Sequence, residues 1–320
     1  MVNFNYRKAK SAGEASPDFR ILAGGTTLID LMKLEVENPK SVLDINGLPL
    51  RDIKPAEGGG LFIGALATNA AVANNELVKK NYPVLSEAIL HGASAQLRNK
   101  ATTAGNLLQR TRCVYFRDPS KPCNKREPKS GCPAMEGHNR NLAIMGTSDA
   151  CIASNPSDMN VAMMALGAKI HIESGGNKRE VDITDFYLTP GNSPEKEFNL
   201  APGEIITGVT LAPLPAGTKS YYLKLRDRAS YEFALASAAT VLTVKSGVIE
   251  RARFAMGGIG TVPWRVPEAE KMLEGKKPEA SVFRLAAEQV LKGAKPRSEN
   301  AFKVELAKRC LLQALKTVTA

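Results

Sequence analysis

The chain has 320 residues, 43% of them hydrophobic and 23% charged, a globular balance with enough apolar material for a core. No apolar run approaches the roughly 18–20 residues that a membrane span needs, and Met1 to Lys8 hold no apolar segment of the kind that directs export. The net charge of +11 raises nucleic acid as a partner, but the basic residues are scattered, aromatics are few and no nucleic-acid-binding motif is present, so none is expected.

In chain order, the first fifty residues read strand, helix, strand. Phe4 and Tyr6 alternate with polar residues, Arg20-Ile-Leu-Ala is a short apolar run ending at Gly24-Gly25, and Thr26 to Lys33 is helical with Leu28, Leu31 and Met32 on one face. Residues 41–45 and 61–66 are further strands, followed by helices over 70–80 and 84–92. Residues 109–147 hold prolines, glycines, charges and cysteines without periodicity, and a loop of that length needs something internal to tie it down. Ser157-Asp158 then opens a helix with Val161, Ala162, Ala165 and Leu166 inward, and strands follow at 168–174 and 204–212. The proline-rich stretch after Leu211 marks a boundary. Beyond it a second α+β unit is expected, with strands near 219–226, 233–245 and 249–257 and helices near 266–274, 280–292 and 299–317.

The five cysteines are Cys113, Cys123, Cys132, Cys151 and Cys310, and the first four fall within 39 residues. An odd count in a long chain without an export signal argues against a disulfide framework. No paired Cys-x2–4-Cys knuckle is present, which a tetrahedral zinc site usually requires. A cubane iron–sulfur cluster is wider than one ion, and four thiolates can reach its corners from an open loop. A cluster, a zinc site, disulfides and four unrelated thiols all stay open on spacing alone. From Leu97 to Arg140 ten Lys or Arg stand against three acids. Arg112, Arg117, Lys125 and Arg126 would offset the charge of an anionic cluster, or form a docking face for an acidic partner. Cys310, beside Leu311 and Leu312 in a helical pattern, reads as a buried apolar thiol.

Two loops are rich in glycine and small hydroxyl residues. Ala23-Gly24-Gly25-Thr26-Thr27 lies between a strand and a helix, where backbone can approach a phosphate closely. It is not Gly-x-Gly-x-x-Gly, so a standard dinucleotide fold is not supported. Ala101-Thr102-Thr103-Ala104-Gly105-Asn106 is the second, and the two could clasp a pyrophosphate from two sides. Asp158 could accept from a ribityl or ribose hydroxyl, or could be an ordinary first-turn helix acid.

Taken with Asn155-Pro-Ser-Asp-Met and Lys224-Leu-Arg-Asp-Arg-Ala-Ser-Tyr-Glu-Phe-Ala-Leu, these two loops resemble the FAD subunit of the xanthine dehydrogenase and carbon monoxide dehydrogenase family, in order and spacing over nearly the whole chain. The resemblance implies an α+β protein. Its residues 1–215 would be a two-subdomain FAD-binding fold of the vanillyl-alcohol oxidase type, with an insertion at about 109–151, and residues 216–320 a small C-terminal α+β domain. The insertion with four cysteines resembles the aldehyde oxidoreductase type, whose FAD subunit carries an additional [4Fe-4S] cluster, which implies Cys113, Cys123, Cys132 and Cys151 as ligands. Flavin subunits of 4-hydroxybenzoyl-CoA reductase-like or xanthine dehydrogenase-like complexes are the alternative.

Carried over by residue, the resemblance implies Gly24, Gly25, Thr26 and Thr27 on the FAD pyrophosphate, flanked by Ala23 and Leu28. Thr102, Gly105 and Asn106 would form the second phosphate-side loop. Asp158 would hold hydroxyls of the FAD chain, Lys224 would lie near the flavin's polar edge, and Ile206 and Phe233 would contact the ring or adenine. The usual acid is absent at Ser230-Tyr231-Glu232, a region that supports reaction with NAD in xanthine dehydrogenases, and Tyr231 is placed to cover a flavin face. The implied activity is electron relay in a heterotrimer, with no catalytic residue on this chain. A molybdenum-cofactor subunit would oxidise the substrate and a [2Fe-2S] subunit would feed FAD. An external acceptor would then take the electrons. A partner carrying an export signal would make the location periplasmic by co-export; otherwise it is cytoplasmic. The rival from another class is a zinc-stabilised basic interaction module without redox activity.

Overall fold

The chain is described from a computed structural model covering residues 1–320. Its N-terminal part is a small parallel sheet. β1 (Asn5–Lys8), β2 (Arg20–Leu22), helix α1 (Leu28–Lys33) and β3 (Ser41–Asp44) give the strand order β1-β3-β2. Parallel neighbours need a crossover, and α1 supplies it between β2 and β3. The turn into α1 is made possible by Gly25, at φ 74°, where a side chain would be strained. Leu31 and Met32 form the buried face of α1.

The next part is built on an antiparallel sheet. In chain order it comprises β4 (Ile53–Pro55), β5 (Leu61–Gly64), α2 (Asn69–Asn74), α3 (Glu76–Asn81), α4 (Pro83–His91), α5 (Ala95–Arg98), α6 (Thr103–Leu107), α7 (Val114–Arg117), α8 (Asp158–Leu166), β6 (Lys169–Ser174), β7 (Asn177–Asp182), α9 (Ile183–Phe186) and β8 (Ile205–Leu211). The strand order is β4-β5-β8-β6-β7. Every residue of α8 is buried, as befits a helix that is apolar nearly all round. The Ser157 hydroxyl caps its start by accepting from Asn160 N at 3.1 Å, and Gly167, at φ 68°, ends it.

The C-terminal part has the strand order β11-β10-β9, from β9 (Thr218–Leu225), β10 (Ala236–Lys245) and β11 (Val248–Gly257), with helices α10 (Pro267–Lys271), α11 (Ala280–Val290) and α12 (Phe302–Thr319). β10 is buried on both faces, and its period of two sorts its side chains between two cores. Ala239 and Val241 join the core around α8. Ala236, Ala238 and Leu242 join the core that holds Leu311, Leu315 and Cys310 of α12. The alanines let helices approach from either side, so the sheet belongs to two packing units at once.

The α+β class holds, and most long elements fall where hydrophobic periodicity puts them. The helix expected over 70–80 is two, because Asn75 leaves the helix and caps α3 by accepting from Leu77 N and Val78 N at 2.9 and 3.3 Å. β4 and β7 escape periodicity. β7 reads NKREVD, with only Val181 buried, and as an edge strand it pairs with β6 alone. The aperiodic 109–147 stretch contains one helical turn, α7, and a short 3-10 turn at Pro133–Met135. No helix is long and apolar enough to cross a membrane.

Gly257 forms a close joint between the two larger parts. A Cβ there would stand 2.5 Å from Val161 Cγ2 and 2.6 Å from Ser237 Oγ. Gly257→Val is therefore expected to destabilise the protein by about 1–3 kcal/mol through overpacking, read as a lower thermal unfolding midpoint, whereas an unchanged midpoint would show that α8 can move aside.

Candidate functional site: a cleft and a cysteine cavity

A cleft open to solvent lies where three stretches of chain meet. Arg112, Asn141 and Leu142 come from the cysteine-bearing loop, Ser154 to Asp158 lead into α8, and Asp227, Glu232 to Leu235, Gly257 and Gly258 come from the C-terminal part.

The two glycine loops touch each other. A Cβ on Gly24 would lie 2.0 Å from Lys100 O and 3.2 Å from Ala101 Cα, so Gly24 is required by backbone-on-backbone contact with the second loop. Gly25 serves its positive φ, and the space beside it holds Ile29 and Leu22. Asn46 Nδ2 fixes the first loop by donating to Ala23 O at 2.7 Å. The Thr27 hydroxyl does not cap α1, which begins at Leu28. In the second loop the Thr102 hydroxyl accepts from Gly105 N at 3.3 Å, capping α6. Asn106 Oδ1 accepts from the Ser157 hydroxyl at 2.6 Å, which carries the second loop to the edge of the cleft.

Asp158 is 8% exposed at the first turn of α8, and both its oxygens are engaged. Tyr222 Oη donates to Oδ1 at 2.6 Å and Lys224 Nζ to Oδ2 at 2.8 Å. Lys224, whose side chain is 1% exposed, also donates to His91 O at 3.0 Å. Burial, reinforced by the Asp158 charge, holds the Tyr222 phenol well above its usual range. Sequence reading brought Asp158 and Lys224 to one site but missed their pairing and missed Tyr222; the alternation of Tyr222 with Lys224 on β9 is the signal that could have found it. Phe233 lines the cleft. Tyr231 instead stands 57% exposed beside Arg228. Ile206 does not reach the cleft; it is 2% exposed in the core around α8, facing Ile172 across the sheet.

All five cysteines are free thiols. Cys113, Cys123, Cys132 and Cys151 line one cavity, walled by Tyr115, Phe116 and Ala134 among others. No three His, Cys, Asp or Glu side chains stand close enough to hold a single metal ion. Burial pushes the Cys113 and Cys151 thiols up to about 11 and Cys132 upward as well, while backbone N–H groups act against it: those of Phe116 and Tyr115 at Cys113, Ala134 and Ile152 at Cys132, and Ala153 at Cys151. Ala153 N lies 3.4 Å from the Cys151 sulfur. Cys310 is fully buried in the α12 core.

The dense basic charge of this loop is mostly spent inside the fold. Arg117 grips Asp30 of α1 at 2.8 and 3.1 Å, and Arg110 bridges Glu37 and Glu197 at 3.0 and 2.6 Å. Arg126 donates to the carbonyls of Tyr115 and Phe116 at 3.0 and 2.7 Å. Lys125 pairs with Glu197 at 3.1 Å and lowers the Cys151 thiol against burial. Of the four cations expected to offset a cluster, Lys125 acts on Cys151. At the far end Asn139 and Asn300 lock the loop to the start of α12, with Glu299 N donating to Asn139 Oδ1 at 2.9 Å and Asn300 Nδ2 to Asn139 O at 3.1 Å.

The cleft fits a large polar cofactor. Arg112 on its wall keeps a buried Nε with no hydrogen-bond partner, and the second glycine loop reaches its edge through the Ser157–Asn106 hydrogen bond. Two glycine loops in contact, one of them hydrogen-bonded to the cleft edge, set a phosphate-compatible backbone beside a cleft between two α+β units. Comparison with known proteins gives the family. The family described as the FAD binding domain in molybdopterin dehydrogenase matches residues 4–214, and the CO dehydrogenase flavoprotein C-terminal domain matches residues 220–318. The chain is 46% identical over 327 residues to the aldehyde oxidoreductase FAD-binding subunit PaoB of Escherichia coli (strain K12), covering 100% of this chain and 99% of that protein. It is 25% identical over 281 residues to the carbon monoxide dehydrogenase medium chain of Afipia carboxidovorans, covering 85% and 80%. The solved carbon monoxide dehydrogenase of Hydrogenophaga pseudoflava shares the fold, with a TM-score of 0.78 at 23% identity over 100% of this chain and 99% of that one. The chain belongs to the FAD-binding subunits of the molybdenum hydroxylases, a family of oxidoreductases. That membership replaces the reading of a zinc-stabilised interaction module.

Lys224→Met leaves the Asp158 carboxylate buried without its cation. We expect a loss of about 3–5 kcal/mol in stability and of bound FAD, and partial recovery of stability in the Asp158→Asn/Lys224→Met double variant. Denaturant unfolding and flavin absorbance check this; a double variant no more stable than the single one would show that the pair is not coupled.

Proposed function

We propose that this chain is the electron-relay subunit of an aldehyde-oxidising molybdenum hydroxylase, holding one FAD in the cleft and one [4Fe-4S] cluster on Cys113, Cys123, Cys132 and Cys151. The observation that carries the cluster is the convergence of four cysteines, scattered along the loop without any paired knuckle, on one cavity, with backbone amides at the sulfurs of Cys113, Cys132 and Cys151. That spread suits a cubane better than a single ion, and amides directed at ligand sulfurs are a recognised means of tuning cluster potential. Cluster binding would require the thiols to lose their protons, which a metal centre brings about against the effect of burial. The aldehyde reading is supported by the identity shared with the aldehyde oxidoreductase subunit.

In the cleft FAD supplies electron exchange in single or paired steps. The residues of this chain bind and orient it. The Gly24–Thr27 backbone, flanked by Ala23 and Leu28, would face the pyrophosphate from one side and the Thr102, Gly105 and Asn106 loop from the other. Asp158, held rigid by Tyr222 and Lys224, would set the ribityl chain, and Phe233 would cover part of the ring. No general base or nucleophile is required. Electrons would arrive from a [2Fe-2S] subunit fed by a molybdenum-cofactor subunit, and leave to an external one-electron acceptor rather than NAD. The sequence Ser230-Tyr231-Glu232 supports that acceptor preference, since Glu232 is tied to Arg228 at 3.1 Å.

The test is metal and flavin content. Cys132→Ser should lose about four iron atoms per chain while keeping FAD, and Cys310→Ser should keep both. Full iron retention in Cys132→Ser would defeat the ligand assignment, and zinc in place of iron would defeat the cluster.

A further inference from the structure

Arg112 stands on the cleft wall, next in the chain to Cys113, which lines the other cavity. Its guanidinium lies 5.2 Å over the ring of Phe233 on the cleft wall. Its one hydrogen bond to protein is from Nη1 to Asp30 Oδ2 at 3.1 Å, and Nε is buried without a partner. A guanidinium carries five N–H donors, so most of this one's capacity is unused by the protein.

The charge is as unbalanced as the hydrogen bonding. Asp30 also accepts two bonds from Arg117, at 2.8 and 3.1 Å, so two guanidinium groups share one carboxylate. The other charged groups on the cleft wall have their own partners: Asp158 has Lys224, Asp227 has Arg140, and Glu232 has Arg228. Arg112, with half a carboxylate, is the least compensated charge on the cleft wall, held in a half-buried place where water screens it poorly.

We propose that Arg112 sets the reduction potential of the flavin by presenting its free N–H edge and its positive charge to the ring. This rests on FAD occupying the cleft and does not require the iron–sulfur cluster. FAD takes up two electrons, delivered by the [2Fe-2S] partner, and one proton, giving a reduced flavin with one negative charge on its ring. A fixed cation favours that form over the neutral oxidised one. Arg112 thereby joins the cysteine loop to flavin chemistry, because the residue that tunes the ring is the neighbour of a proposed cluster ligand.

The experiment is a spectral redox titration of the flavin in the full-length FAD-loaded chain, with FAD and iron contents measured alongside. Arg112→Gln should shift the preference for the reduced form by about tenfold, or about 30 mV toward lower potential for a two-electron couple, and Arg112→Lys should recover most of the shift. Asp30→Asn, which removes the shared counter-charge, should move the potential the opposite way. An Arg112→Gln protein with normal FAD and an unchanged potential overturns the proposal. If that variant does not hold FAD, Asp30→Asn decides, and the absence of a rise there overturns it. Wild-type protein that binds no FAD would instead overturn the reading of the cleft itself.

Discussion

The Asp158 carboxylate, shared between Tyr222 and Lys224, is the contact on which the cleft depends. It sits on the first turn of α8, the fully buried helix of the FAD-binding part, and both partners lie on β9 of the C-terminal part. Two packing units are thus pinned by one buried ionic group at the wall of the cleft proposed for the flavin. Desolvating the two charges is costly, and a hydrophobic replacement would give comparable stability. What such a pair supplies is geometry, since each group is fixed by two or more directed bonds. Lys224 adds a third anchor at His91 O, at the end of α4. The same sheet, through the two-faced β10, spreads that fixed geometry into both cores.

The cysteine loop is held differently. Its own apolar cluster is small, with nine buried residues including Cys113, Cys123 and Cys151, and it depends on polar links to neighbours. Arg117 ties it to α1, Arg110 and Lys125 to Glu197, and Asn139 to α12. Each tie reaches a different unit of the fold, so the loop acts as a bracket around one end of the cleft. A cluster bound to four of its cysteines would add internal cross-links where ordinary core packing is thin, much as structural metals do in small domains.

Much of this was legible in the sequence. The apolar run of α8 behind its Ser157-Asp158 start, the strand–glycine–helix order at Gly24-Gly25 and the grouping of four cysteines each carry their signal within a few tens of residues. What stayed hidden depends on distant partners. Asp158 and Lys224 are 66 positions apart, and no local pattern states that they meet. The basic stretch from Leu97 to Arg140 suggested offset of cluster charge or a docking face, because its acids, Asp30, Glu37 and Glu197, lie elsewhere in the chain. Ile206 shows the converse. The resemblance carried it to the ring or adenine, and the structure buries it in the core around α8. Gly24 was read as room for a phosphate, and the fold needs it first as room for the neighbouring loop.

The most direct measurement is the stoichiometry of the purified subunit, taken as iron, acid-labile sulfide and FAD per chain in one preparation. We expect about four irons, about four sulfides and one FAD. FAD without iron or sulfide would contradict the cluster while leaving the flavin cleft standing, and a chain that carries neither would contradict both.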